Sequence, residues 1–188
     1  MRGYFGIGAE GISKAMNLGN LMRTAHAFGA SFTFTIEAEA RARIVRLADT
    51  AASDGQVPHY PYDRFEDFRL PKGCELVGVE FTEEAVALPS FRHPARAAYV
   101  FGSERGSLSP RLQALCRHIV KIPTGFCLNV ATAGAIVMYD RLITMGRFGE
   151  RPVAAATARS VRISAAMREM SAGSWPSMTA YSGLTVVS

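Results

Sequence analysis

The sequence predicts an α/β domain with a largely parallel sheet. Two observations carry this. Apolar runs of strand length alternate with helical segments across short loops, the pattern of strands joined by crossovers. Three loops follow apparent strands, after Val79, after Phe101 and after Ile122. Ligands of parallel sheets sit at the carboxyl ends of strands, where such loops gather.

Taken in order, Tyr4–Ile7 reads as the first strand, and a loop runs from Gly8 to Lys14. In Asn17–Phe28 the residues Leu18, Leu21, Met22, Ala25 and Phe28 share one helical face, and Gly29 ends the helix. Ser31–Ile36 alternates with a period of two and is rich in aromatic and β-branched residues, so it reads as a strand. Glu37–Ala52 is a charged, Ala-rich helix. Pro58 and Pro61 limit pairing in Gln56–Tyr62, a short strand or loop. Arg64–Arg69 is a polar turn or short helix. Glu75–Glu80 has strand character, and Thr82 is placed to cap a short helix, Glu83–Leu88. Ala97–Phe101 is a buried strand that runs into the Gly- and Ser-rich loop 102–110. Pro110–Arg117 is a helix with Pro near its first position. His118–Ile122 is the last strand.

The stretch Lys121–Asp140 then reads as strand, tight loop and helix. Pro123 stops the strand, Gly125 permits a turn closed to other residues, and Asn129 is an N-cap candidate. Val130, Ala133, Ile136, Val137 and Tyr139 follow at helical spacing, among small residues that allow close packing. A loop of this kind offers backbone N–H and C=O groups to a small ligand, and the helix start adds partial positive charge.

The chain has 188 residues, 48% of them hydrophobic, which suits one domain with an appendage. Residues 1–150 form the expected domain. Residues 151–188 form an extension rich in Ala, Ser and Arg, in which four Arg face a single Glu. That extension reads either as a tail or as a segment that meets a partner subunit or a phosphate backbone. The formal charge of +5 suits a polyanionic partner such as RNA. Cys74, Cys116 and Cys127 are odd in number and lack metal-site spacing. His26, His59, His93 and His118 show no ligand spacing. No metal site is therefore expected, and the cysteines suggest a reducing compartment. The N-terminus does not read as a signal peptide, and no apolar run approaches the length of a membrane span. These readings place the protein in the cytoplasm.

No Gly-rich dinucleotide fingerprint, phosphate loop or zinc-protease motif is present. Three blocks remain. The first is Asn17, Asn20 and Arg23, spaced three apart along one helical ridge. The second is FGSERGSLS, Phe101–Ser109. The third is IPTGFCLNVATAGAIVMYD, Ile122–Asp140. In that order they resemble the SpoU (TrmH-type) RNA 2′-O-methyltransferases of the SPOUT superfamily. The first is similar to N-x-x-N-x-x-R-T-A-x-x-F-G over Asn17–Gly29. The second is similar to F-G-x-E-x-x-G-L-S, with Ser107 at the glycine position. The third is similar to I-P-M-x-G-x-x-S-L-N-V-S-x-A-x-x-I-x-x-Y-E, two residues shorter before Cys127 and with Asp140 as the acid.

The resemblance, which spans roughly residues 1–148, implies a parallel-sheet α/β knot of SPOUT type. The chain from Phe101 onward would thread a C-terminal trefoil knot, one of the rare exceptions to unknotted topology. It implies S-adenosylmethionine bound by Val79 and Glu80, by Phe101 and Gly102, and by Ile122, Cys127 and Leu128. It implies a catalytic set of Arg23, Asn17, Asn20, Glu104 and Asn129. Cys127 stands where the family has serine, and a thiol is the poorer hydrogen-bond donor. The family account uses the arginine as base. A guanidinium, with a pKa above about 12, is better suited to gripping a phosphate and stabilising alkoxide charge. A homodimer is implied, and RNA as substrate. Because the chain starts almost directly at the motif-bearing domain, the reading favours tRNA over ribosomal RNA. A non-catalytic knotted RNA-binding module is the alternative.

Overall fold

The computed structural model describes residues 3–39, 57–103 and 106–146. Among them seven strands form one sheet: β1 Tyr4–Glu10, β2 Phe32–Ile36, β3 His59–Tyr62, β4 Glu75–Val79, β5 Val86–Ala87, β6 Arg96–Phe101 and β7 His118–Lys121. Their order is β3-β2-β1-β6-β4-β7-β5, and every neighbouring pair is parallel. The helices are α1 Ala15–Ala27, α2 Pro110–Leu115 and α3 Val130–Met145. Short 3₁₀ turns occupy Phe65–Asp67 and Leu88–Ser90.

The central strands are buried on both faces, as crossover helices require. In β6 the side chains alternate between two cores. Ala97, Tyr99 and Phe101 face Ile7, Leu21, Val137 and Met138, the side that carries α1 and α3. Ala98 and Val100 face Phe34, Phe68, Leu108 and Leu112. Helices α1 and α3 pack closely because Gly134 lies between them. A Cβ there would stand 2.4 Å from Leu21 Cδ1. Gly29 ends α1 at φ +71, and Ala30 N–H reaches back to the Ala25 carbonyl, as a left-handed C-terminal residue allows.

Several expectations need correction. The helix 83–88 is absent; residues 83–84 turn and β5 follows. Such a helix needs the carbonyls of Thr82 and Glu83 for the amides of Val86 and Ala87. Instead Lys121 Nζ donates to both carbonyls, at 2.9 Å each, and Val86 and Ala87 pair with Val120 and Lys121. The start of the helix expected at 37–52 is also non-helical, since Glu37 has φ 49; residues 40–52 lie outside the described residues, as does the extension 151–188. Gly125 does not adopt a positive φ, so its turn is open to other residues. In α3 Met138 joins Val130, Ala133 and Val137 in the core, while Tyr139 is half exposed. Strand β1 runs three residues beyond Ile7, and α2 stops at Leu115.

α3 is tied to the amino edge of the sheet by buried polar groups. Arg141, 5% exposed, donates to the carbonyls of Pro94, Ala95 and Tyr4 and to the Tyr99 hydroxyl. The Tyr99 hydroxyl lies 2.5 Å from His93 Nδ1, and His93 Nε2 lies 2.8 Å from Asp140 Oδ2. A neutral His93 satisfies this chain in one direction: Arg141 to Tyr99, Tyr99 to Nδ1, and Nε2–H to Asp140. Burial pushes Tyr99 up to about 12. Burial also lowers His93, outweighing the Asp140 carboxylate, and it lowers His59 between Thr33 and Thr35.

The unfolded chain therefore takes up protons first as pH falls below 6.5, the ordinary histidine value. Stability contributed by these two groups is present above that pH and lost below it. Urea midpoints should be level from pH 7.5 to 6.5 and fall progressively toward pH 5, with a shallower fall in His59→Gln. A level profile down to pH 5 would count against the neutral assignments.

Candidate functional site

Strands β6, β4 and β7 are adjacent in the sheet, so their carboxyl ends meet. Between them and the starts of α1 and α3 lies a cavity of about 590 Å³, within the roughly 300–1,000 Å³ of small-molecule sites. Its apolar wall is Val79, Phe101, Ile122 and Leu128. Its polar margin includes Lys14, Asn17, Ser103, Ser107, Thr124 and Asn129. Glu80, Gly102 and Cys127 also line it. All seven residues assigned to cofactor binding from the sequence thus face one space.

The start of α3 is built by Asn129. Its Oδ1 accepts from Ala131 N–H at 2.9 Å, an N-cap worth about 1 kcal/mol, which leaves Nδ2 to donate to Asn17 Oδ1 at 3.1 Å. That bond joins two residues 112 positions apart and fixes the start of α1 to the start of α3. Asn17 is buried. Asn20 and Arg23 are exposed, further along α1. Arg23 is six residues beyond Asn17, about 9 Å along the helix axis, and does not line the cavity. It makes no hydrogen bond or ion pair with the described residues, so its guanidinium is available. Glu104 lies outside the described residues.

Glu80 occupies the cavity wall in an unexpected role. Its Oε1 accepts from its neighbour Phe81 N–H and its Oε2 from Leu108 N–H, at 2.9 and 2.8 Å. Cys127 is an exposed free thiol on the loop before α3. That loop is braced by Thr124 Oγ1, which donates to the Phe126 carbonyl at 2.8 Å. The sequence reading missed Lys14. It is the extended residue immediately before α1, outside the helical ridge, and no spacing in the sequence singled it out. Glu10, which holds the loop after β6 through Ser109, carried no local signal. A second cavity, about 560 Å³, opens beside Glu75, His93 and His118, at the amino ends of the strands and away from the motif blocks.

The fold is shared with solved RNA methyltransferases. The SpoU methyltransferase AviRb from Streptomyces viridochromogenes aligns at TM-score 0.66 and 19% identity, over 76% of this chain and 60% of that one. An AdoMet-bound rRNA methyltransferase from Sinorhizobium meliloti aligns at 0.68 and 21%, over 76% and 57%. A protein studied for 2′-OH methylation of C/U34 on tRNA aligns at 0.65 and 22%, over 76% and 91%. This chain thus spans less than two thirds of the first two. No curated protein sequence matches it. The chain belongs to the SpoU rRNA Methylase family, whose model matches residues 5–139.

Proposed function

We propose that the protein is an S-adenosylmethionine-dependent RNA ribose 2′-O-methyltransferase acting on tRNA in preference to ribosomal RNA. One observation carries this reading. Three sequence blocks far apart in the chain meet at a single cavity: Asn17 from the first, Gly102 from the second, and Cys127, Leu128 and Asn129 from the third. The cofactor fits the residues present. Val79, Phe101, Ile122 and Leu128 suit its adenine, and the polar margin suits its ribose and amino-acid part. When bound, the sulfonium supplies an already activated methyl group.

What is left for the protein is alignment and help with deprotonation. Asn17 and Asn129 hold the starts of α1 and α3 together beside the cavity. Asn20 and Arg23 continue the same ridge toward solvent, where an RNA backbone would lie. Arg23 is the group that grips a phosphate and stabilises alkoxide charge on the 2′-oxygen. Glu104 and Asn129 act as supports for the loops. Residues 1–150 are the catalytic domain, in line with the family match over 5–139, and 151–188 an extension that adds positive charge. The trefoil knot is supported by the sheet order: residues 80–85 join β4 to β5 across the position of β7.

The protein acts as a cytoplasmic homodimer in this reading. Tyr139, Leu142, Ile143 and Met145 leave apolar surface exposed along the end of α3, an area a second copy would cover. No helix among the described residues is long and apolar enough to cross a membrane. Among the described residues no group of three His, Cys, Asp or Glu is placed to hold a metal ion.

The test is transfer of a labelled methyl from S-adenosylmethionine to unmodified tRNA and, in parallel, to ribosomal RNA, followed by alkaline digestion. Label in alkali-resistant dinucleotides from tRNA is the expected result. Label at a base would overturn the ribose assignment. Absence of both transfer and cofactor binding would leave a non-catalytic RNA-binding module.

A further inference from the structure

The loop after β6 forms one wall of the cavity through Gly102, Ser103, Gly106 and Ser107. It returns so close to its own start that a Cβ on Gly102 would stand 2.8–2.9 Å from backbone atoms of Ser107, Leu108 and Gly106. Two consecutive amides hold it there. Leu108 N–H donates to Glu80 Oε2 at 2.8 Å, and Ser109 N–H donates to Glu10 Oε2 at 2.7 Å. The Ser109 hydroxyl donates to Glu10 Oε1 at 2.5 Å, and Gln113 Nε2 donates to the Leu108 carbonyl at 2.7 Å.

The two carboxylates come from the ends of β1 and β4, the strands that flank β6 in the sheet. Each is anchored to a rigid strand, and each takes an amide from the loop that leaves the strand between them. A carboxylate is an acceptor only, with lone pairs enough for two donors. Glu10 serves the Ser109 amide and hydroxyl, and Glu80 the Phe81 and Leu108 amides. A side-chain amide in the same place turns an N–H toward one of those donors.

We infer that Glu10 and Glu80 form a two-carboxylate clamp that holds residues 102–103 and 106–109, after β6, in their cofactor-binding shape. They are positioning residues, acting through the loop and not through contact with the reacting atoms. The inference rests on the function proposed above, because it assigns the cavity to S-adenosylmethionine. It also reassigns Glu80 from a direct cofactor ligand to a support. Glu10 is the sharper case, since it is 7% exposed and does not line the cavity.

The experiment compares the full chain with Glu10→Gln, Glu80→Gln and the milder Ser109→Ala. Titration calorimetry gives the S-adenosylmethionine Kd, hydrogen exchange gives the rates at the Leu108 and Ser109 amides, and a thermal scan reports folding. The expected result is about tenfold weaker binding in each Gln variant, a smaller loss in Ser109→Ala, and faster exchange at Leu108 in Glu80→Gln and at Ser109 in Glu10→Gln. The kinetic loss should appear in the KM for cofactor. Ordinary loss of structure would lower the melting midpoint and speed exchange throughout the sheet.

Exchange unchanged at both amides overturns the clamp. So does accelerated exchange with a Kd within twofold of the parent, for then the loop shape does not govern binding. A weaker Kd in Glu80→Gln with Glu10→Gln unaffected restores Glu80 as a direct ligand and also overturns it. A parent protein that binds no S-adenosylmethionine refutes the cofactor assignment itself, and is told apart because the failure precedes any substitution.

Discussion

Arg23→Ala is expected to lower kcat/KM for RNA methylation by about 10²–10³-fold, the usual cost of removing one group that stabilises developing negative charge. Three observations point to a loss in chemistry and not in folding or cofactor binding. Arg23 is exposed on α1, it does not line the cavity, and it has no partner among the described residues whose loss could destabilise the fold. The Kd for S-adenosylmethionine and the melting midpoint should therefore match the parent. Arg23→Lys keeps the positive charge and loses the planar fork, so it should retain measurable methylation. Single-turnover rates at saturating cofactor decide the matter. If Lys is as inactive as Ala, a charge-only role is wrong, and guanidinium geometry or proton transfer must be considered. If Ala weakens cofactor binding, Arg23 reaches the cavity.

The second large effect concerns stability. Arg141→Met is expected to destabilise the fold by about 3–5 kcal/mol, through acceptors stranded in the interior. Met fills much of the volume of the arginine stem but donates nothing. The carbonyls of Pro94, at 2.7 Å, and Ala95, at 3.0 Å, lose their donor, as do the Tyr4 carbonyl and the Tyr99 hydroxyl. The loss would be read as a lower urea midpoint with an unchanged slope. A change below about 1 kcal/mol would mean that water replaces the guanidinium, and that the network does not tie α3 to the sheet. The site is at the amino edge of the sheet, so cofactor affinity of the folded variant should be retained.

Much of the architecture was legible locally. The period-two pattern of 31–36, the apolar face of α1 ended by Gly29, and the Asn129 cap all rest on residues within one turn or one strand of each other. The cavity was legible for a related reason: loops after parallel strands must gather at one edge. Motif blocks on the loops after β6 and β7, with Val79 and Glu80 at the end of β4, were therefore bound to face a common space. The internal assignment of α3 was not legible. That helix is apolar nearly all round, so spacing could not say that Met138 is buried and Tyr139 is not. Strand β5 was misread because a short segment such as 82–87 has no strong preference of its own. The free edge of β7 and the Lys121 ammonium decided it.

The sequence by itself determined the class of fold, most of its elements other than β5, and the residues that gather at the carboxyl ends of the strands, since periodicity, capping and turn chemistry act over a few residues. The tertiary structure alone decided which polar groups hold those parts in place. Asn17 with Asn129, His93 with Asp140, Glu10 with Ser109 and Glu80 with Leu108 are separated by 112, 47, 99 and 28 positions. No local preference selects such pairs. They form because burial makes an unpartnered polar group costly, and only the folded sheet brings each donor to its acceptor.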